Sequence, residues 1–534
     1  MHRFNLLRLY FAAAIILLGM AGMLIRYYHC LDEESAAKVS VRQGKYHLHI
    51  PLQTGTIYDR NYRPITNSEK TLYAVVNPTP DTMLSLFGKI KHSEELQDAL
   101  RRVSPFACEI SEEIQETQNL FLLHGATNPN ENTPAQHLVG YCQDGKGVCG
   151  LEAAYSDWLS ACAYSTDILF TVNGRGAVLS GGEQLRTETG TPNGGVVTTL
   201  DKRIQKIAET ALRSAPSQKG AAIVMDIKTG DLLACASLPV YQISALDEAI
   251  QNTDSPFINR ALCAFPVGSV FKLVTAAAAL EQGFTTDYCY ECTGSFSLYG
   301  QRFRCHQLNG HKLLNMQQAM TVSCNPYFIS LSQLLSAETL HQFAESLGFG
   351  KPTVLAPNIV SDGGTLPDVS CLALPAEKAN FSFGQGQLTA SPLQIAAMTA
   401  CIAYDGIYSS PRLVLGKTTD GNTLIQPEKT MQQQILKPET AKTLREMMIA
   451  VLRDSEKSNA VPCNTYAAGK TSTAQTGRKD AAGKELCHAW MTGFFPAYYP
   501  KYAVTVLIED GGSGNDAAAP IFRRIIEEIR RIQA

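Results

Sequence analysis

Apolar and polar residues change period several times along this chain, and the first segment has no polar face at all. From Leu9 to Ile25 seventeen residues run without a charge, just enough to span a bilayer as a helix. His2, Arg3 and Arg8 precede the run, and Asp32, Glu33 and Glu34 follow soon after it. That asymmetry predicts a cytoplasmic N-terminus, with the bulk of the chain across the membrane. A cleaved signal peptide is the rival reading. No A-x-A site follows the apolar run, so residues 1–30 are expected to be a cytoplasmic tip and an uncleaved anchor, with the helix at about 9–25.

Beyond an exposed, helix-like stretch reaching about Gly44, the pattern turns to alternation. TLYAVVNP (Thr71 to Pro78) reads as a strand, residues 81–125 read as helices, and HLVGY (His137 to Tyr141) reads as a strand. A Gly- and Thr-rich segment from Gly174 to Gly195 marks the best domain boundary. It divides an N-terminal domain over 40–195 from a larger one over 196–534. In the larger domain VVTTLDKRIQKIAETALRSA predicts a strand feeding a helix capped at Asp201, and AAIVMDIKTGDLLACASL predicts two strands around a tight turn. Helices are expected over Ser269–Gln282, 315–347, 391–404 and 438–454. An apolar strand from Tyr502 and an amphipathic C-terminal helix follow. The order predicts an α/β (α+β) fold, a sheet with helices packed on it.

Composition narrows the class. The 534 residues carry 46 Lys+Arg against 49 Asp+Glu, a net charge of −3. This near-balance gives no electrostatic case for nucleic acid, which calls for a clustered basic surface. The 25 Pro and 40 Gly are ordinary, whereas 15 Cys are many. Several, such as Cys235, Cys263 and Cys401, have apolar neighbours and read as small buried hydrophobes.

The candidate chemistry begins at Ser269-Val270-Phe271-Lys272. At the start of a helix the hydroxyl and the amine lie one turn apart on one face. An amine kept neutral among apolar neighbours can take the serine proton, the Ser-Lys form of nucleophilic catalysis. The spacing alone is weak, because Ser35-Ala36-Ala37-Lys38 repeats it in a solvated stalk. What strengthens it is order. Ser323-Cys324-Asn325 follows a helix, and Lys470-Thr471-Ser472-Thr473 opens an alternating segment. A second hydroxyl can relay protons, an amide can grip a peptide backbone, and a strand lysine can attract a carboxylate. Ser513-Gly514-Asn515 and Lys228-Thr229-Gly230 mimic these motifs, but the second sits in MDIKTGDLL, a hairpin turn.

NRALCAFPVGSVFK (Asn259 to Lys272), SCNPYF (Ser323 to Phe328) and GKTSTAQTG (Gly469 to Gly477) resemble the three active-site motifs of penicillin-binding proteins. FGQGQLTASPLQIA and HAWMTGFFPAYYPKYAV resemble their other signature stretches. GTIYDRNYRPI and HLVGY…GLEAAY resemble the non-catalytic domain of class B members. The likeness spans nearly the whole chain in order. It implies a penicillin-binding/serine β-lactamase-like transpeptidase domain, an antiparallel sheet with helices on both faces, behind a smaller pedestal and one membrane helix. It implies D,D-transpeptidation of peptidoglycan stem peptides on lipid-linked nascent glycan, with no cofactor needed for catalysis. Ser269 would be the nucleophile, Lys272 its base, Ser323 the proton shuttle and Asn325 a substrate ligand. Lys470 would assist electrostatically, and the Thr471, Ser472 and Thr473 strand would hold substrate. The Ser269 and Thr473 N–H groups would form the oxyanion hole. β-Lactams should acylate Ser269, and a polytopic membrane glycosyltransferase is the implied partner. Two positions depart from the family pattern. Ser472 stands where the family has a glycine, and its Cβ is expected to crowd the strand against the catalytic helix. Thr54 stands where the family's N-terminal motif has an arginine.

Between the first two motifs lie Cys289, Cys292, Cys305, His306, His311 and Cys324. These are the ligand types of zinc sites, and some elongation-type relatives carry a metal here. The best tetrad is Cys292, Cys305, His311 and Cys324 around a structural Zn2+, with Cys289 as substitute. A Cys292–Cys305 disulfide, plausible outside the membrane, and unpaired buried thiols are the alternatives. A D,D-carboxypeptidase differs from a transpeptidase only in accepting water. A catalytically silent scaffold for wall synthesis is the non-enzymatic rival, against which the intact Ser269, Lys272, Ser323 and Asn325 argue.

Overall fold

A computed structural model describes residues 2–30, 44–91, 101–128, 133–143, 145–179, 184–455 and 458–533. They form two compact units that interleave along the sequence. The first comprises Met1–Gln53, Glu69–Thr127 and Ala163–Gly190, and the second comprises Thr54–Ser68, Asn128–Cys162 and Thr191–Ala534. Two stretches from within 40–195 therefore pack with the C-terminal part of the chain. Backbone pairing is the reason: Thr56–Tyr58 forms a parallel strand beside Gly195–Thr198, which also pairs with Val414–Thr418. The Trp158 indole N–H donates to the Gly195 carbonyl at 2.8 Å.

In the first unit a helix runs over His2–Cys30, and its Tyr10–His29 portion is long and apolar enough to cross a membrane. The exposed stretch expected before Gly44 falls largely on residues 31–43, outside the described residues. Two three-stranded antiparallel sheets follow, one of Lys45–Gln53, Tyr164–Thr171 and Gln184–Thr189, the other centred on Glu69–Val76. Here the helical expectation for 81–125 fails over its later part, while residues 92–100 lie outside the described residues. A short helix, Pro80–Leu86, does form behind a Thr79 capping box, but Phe106–Ile110 and Leu120–Thr127 are strands flanking Glu69–Val76. FACEI buries every second residue, a period that suits a sheet with one face on a core. HLVGY errs the other way. Gln136–Val139 is a single helical turn, entered at left-handed Ala135 (φ 54°) and left at Gly140 (φ 79°), with the adjacent Leu138 and Val139 both buried.

The second unit is organised by a five-stranded antiparallel sheet of β1 (Gly220–Asp226), β2 (Leu232–Leu238), β3 (Ala468–Lys479), β4 (Glu485–Phe495) and β5 (Tyr502–Ile508), in the order β2-β1-β5-β4-β3. The helices that matter are α1 (Lys202–Leu212), α2 (Lys272–Glu281), α3 (Asn325–Gln333), α4 (Pro392–Ala403), α5 (Pro438–Arg453) and α6 (Ala519–Gln533). Their starts follow the sequence signals. Asp201 accepts the Arg203 N–H at α1, and Ser391 and Gln394 form a capping box ahead of Pro392 at α4.

Two neighbouring residues of β4 prove that helices cover both faces. Thr492 hydrogen-bonds Thr399 of α4 at 2.7 Å, while a Cβ on Gly493 would lie 2.8 Å from Phe522 of α6. Successive strand residues point to opposite faces, so α4 and α6 sandwich the sheet. The buried core is continuous across these layers, and β3 remains an edge strand.

Candidate active site

Three chain segments, far apart in sequence, meet in the second unit. A tight turn over Gly268–Phe271 leads into α2 and carries Ser269, which is half-buried, and Lys272 heads the helix with no exposure at all. Burying a lysine is costly unless its ammonium is well bonded or neutral. The Lys272 Nζ donates to the Ser323 carbonyl at 2.6 Å, to Ser323 Oγ at 3.1 Å and to Asn325 Oδ1 at 2.7 Å. It also lies over the Phe328 ring, 5.6 Å from the centroid. Burial, and then the neighbouring charge of Lys470, hold its pKa well below the usual lysine value.

Ser323 is held in the left-handed region (φ 52°), a conformation that a side-chain-bearing residue adopts at a cost. The consequence is geometric. Ser323 and Asn325 both face Lys272, while Cys324 between them is fully buried, its thiol hydrogen-bonded to Cys305.

The second lysine arrives from β3. Alternate residues Lys470, Ser472 and Ala474 are buried, whereas Thr471 and Thr473 face outward and are more exposed. Lys470 Nζ donates to Ser323 Oγ at 3.0 Å and to the Thr471 carbonyl at 2.9 Å, and burial brings its pKa down to about 8. Ser323 Oγ is thus shared between two buried amines. Thr473 Oγ1 accepts the Gly514 N–H at 3.2 Å. Ser472 does not face the cleft with its neighbours. Its hydroxyl donates to the Val267 carbonyl at 2.9 Å, which is also how the strand accommodates a side chain at the expected point of crowding.

Sequence reasoning assigned no role to the residues that grip the turn ahead of Ser269. Gly268, at φ 63°, donates its N–H to the Gly384 carbonyl at 2.8 Å. A Cβ on Gly384 would sit 2.1 Å from the Gly268 oxygen, so the approach needs a bare Cα. Trp490 of β4 donates its indole N–H to the Pro266 carbonyl at 2.9 Å. The FGQGQ and HAWMTG stretches carried that signal only as resemblance.

The sulfur and imidazole donors of Cys292, Cys305, His311 and Cys324 lie within 4.8 Å of one another. Cys305 Sγ is 3.5 Å from His311 Nδ1. Tetrahedral zinc with ligands at about 2.0–2.3 Å holds neighbouring donors roughly 3.3–3.8 Å apart; the donor set fits the ion in type, and the Cys305–His311 pair fits it in spacing. Hydrogen bonding from Cys324 pulls the Cys305 thiol well below its usual pKa and pushes Cys324 up, as expected where two thiols share a proton. Cys289, the substitute, is exposed and donates to the Asp287 carbonyl, outside this cluster. Cys292 and Cys305 are not joined by a disulfide.

Residues 220–527 match the penicillin-binding protein transpeptidase domain family. The chain belongs to the class B penicillin-binding proteins. A peptidoglycan D,D-transpeptidase of Mycolicibacterium smegmatis, PbpA, is 30% identical over 367 residues, which is 64% of this chain and 73% of the relative. Stage V sporulation protein D of Bacillus subtilis is 26% identical over 495 residues, covering 87% and 74% respectively. Among solved structures, penicillin-binding protein A of M. tuberculosis as a ceftriaxone acyl-enzyme complex superposes with a TM-score of 0.63 at 26% identity, covering 77% of this chain and 93% of that one. Penicillin-binding transpeptidases act without a cofactor, and in this chain Lys272, Ser323, Asn325 and Lys470 come together from the head of α2, the segment that opens α3, and β3.

Proposed function

We propose that the chain is a membrane-anchored D,D-transpeptidase that cross-links peptidoglycan stem peptides through a Ser269 acyl-enzyme and is a target of β-lactams. The observation that carries the reading is the convergence of Lys272 and Lys470 on Ser323 Oγ, at 3.1 and 3.0 Å, beside the turn that bears Ser269. Burial keeps the Lys272 amine poised to lose its proton, the condition for a general base near neutral pH. Lys272 takes the Ser269 proton as Oγ attacks the penultimate D-alanine carbonyl. Ser323, bonded to both amines, passes a proton to the departing D-alanine nitrogen. Asn325 and the outward face of β3 hold the peptide, and Lys470 with Thr471 and Thr473 meets the terminal carboxylate. The N–H groups of Ser269 and Thr473 receive the developing oxyanion. An amine of a neighbouring stem peptide then takes the acyl group.

The organisation that goes with this activity is an anchor within 1–30, a non-catalytic domain drawn from 40–195, and a transpeptidase domain over 196–534. The N-terminus is cytoplasmic and the catalytic domain lies outside. A polytopic glycosyltransferase supplies the nascent glycan. Cys292, Cys305, His311 and Cys324 would hold a structural Zn2+ that would brace the loop carrying Ser323 and Asn325, and none of these four residues takes part in the acyl transfer. Labelling by a fluorescent penicillin tests the central claim: wild type labels and Ser269→Ala does not, and equal labelling of the two removes Ser269 from its role. Elemental analysis of protein purified without chelators tests the ion. About one zinc per chain is expected, and none ends the metal proposal.

A further inference from the structure

The turn preceding the nucleophile is held at three consecutive residues. Pro266 O accepts from Trp490 Nε1 at 2.9 Å, Val267 O accepts from Ser472 Oγ at 2.9 Å, and Gly268 N–H donates to Gly384 O at 2.8 Å. Ser472 of β3 and Trp490 of β4 are directly paired across the sheet. Paired residues project from the same face, which is why their two donors reach successive carbonyls of one turn. Ser472 is 3% exposed, so water cannot substitute for its hydroxyl, and a buried carbonyl left without a donor carries a penalty. The contact is also close. A Cβ on Gly268 would meet Ser472 Oγ at 2.4 Å, so the hydroxyl fills the space between strand and turn.

We propose that Ser472 is a positioning residue, whose hydroxyl bond to Val267 O sets the separation between the Ser269 turn and β3. The inference rests on the reading of Ser269 as nucleophile and of the Thr473 N–H as an oxyanion donor. Thr473 follows Ser472 directly, and Ser269 lies two residues beyond Val267. The Ser472–Val267 bond is therefore a short tie between the two halves of the oxyanion hole. Oxyanion donors act only when correctly spaced around the tetrahedral intermediate. Loss of the tie should accordingly slow bond formation while leaving the first, non-covalent encounter intact. Where the family has a glycine, strand and turn can close directly; here the hydroxyl bridges them.

The test uses the detergent-solubilised full chain and rapid-quench labelling with a fluorescent penicillin over a range of concentrations. This separates the acylation rate constant from the non-covalent dissociation constant and from the labelled amplitude. Ser472→Ala is expected to label to the wild-type amplitude with acylation slowed about tenfold and the dissociation constant within about twofold, the pattern of an interaction made in the transition state. Ser472→Gly is expected to be slowed as well, because Val267 O still lacks its donor. Trp490→Phe, which frees the adjacent carbonyl, should show the same split and decides the matter if Ser472→Ala does not fold. Acylation of Ser472→Ala at the wild-type rate overturns the inference. So does a loss confined to amplitude, which is the mark of a smaller folded fraction, or a Ser472→Gly variant faster than wild type. A wild-type chain that never labels overturns the Ser269 reading and this inference with it. A labelled wild type matched by Ser472→Ala overturns the inference alone.

Discussion

Of the tripeptides in this chain that begin Lys-Thr, two stand out, and the better match to the motif in letters is the worse one in structure. Lys228-Thr229-Gly230 joins β1 to β2 in a turn. Gly230 has φ 73°, the Asp226 carboxylate accepts the N–H groups of Lys228 and Thr229, and the Lys228 side chain is exposed. Lys470-Thr471-Ser472 lies inside β3, where the pleat buries the first and third residues, aiming the lysine at Ser323 and the serine at Val267. The same side chain is a solvated cation in one setting and a desolvated amine with a pKa near 8 in the other. Position within an element, rather than the tripeptide, makes the lysine useful for chemistry.

Exchanging the two lysines' fates is the most direct attack on that contrast. Lys470→Ala should slow acylation by a penicillin about 100-fold, the scale of losing one preorganised electrostatic group, measured as the second-order acylation rate constant. A loss under about threefold removes Lys470 from the site. The pH profile sharpens the same point. A lysine whose pKa is depressed to about 8 keeps its charge below that pH and loses it above. If that charge draws the substrate carboxylate, acylation should fall about tenfold for each pH unit above 8. In Lys470→Arg the guanidinium stays charged, so this limb should move beyond the measurable range. A limb unchanged in Lys470→Arg belongs to another group.

A smaller effect is expected one residue from Ser323. Cys324→Ser should lower bound zinc well below one per chain and reduce the melting temperature by several degrees, with acylation slowed only a few-fold, because the sulfur supports Ser323 and Asn325 without touching substrate. Wild-type zinc content in this variant excludes Cys324 as a ligand. The smallest change completes the comparison: Lys228→Ala should acylate within about twofold of wild type, and a larger loss would give the turn an unsuspected role.

Much of this was legible before the fold was known, and the failures are instructive. Ser269, Lys272, Ser323, Asn325 and Lys470 were named from motif order, and the four metal-ligand candidates from residue type. Local signals also found α1 behind Asp201, the helix over 391–404, and the hairpin of β1 and β2. The expectation for 81–125 failed because FACEI and LFLLHGAT become strands through pairing with Glu69–Val76, a partner that no local window contains. The interleaving of the two units was hidden for the same reason, since Thr56–Tyr58 finds its partner strand at Gly195–Thr198.

Residue type and order along the chain decide which groups are available: a hydroxyl and an amine one turn apart, a lysine in an alternating strand, three thiols and an imidazole between them. They also decide the anchor-like N-terminal helix, because an apolar run needs no tertiary partner to be recognised. Only the folded chain decides what each group does. The left-handed backbone at Ser323 turns its hydroxyl to both lysines and leaves Cys324 to the thiol cluster. The pairing of Ser472 with Trp490 sends two donors to the turn before Ser269. Burial, which is a property of the whole fold, lowers the pKa of both lysines, Lys470 to about 8 and Lys272 well below the usual lysine value.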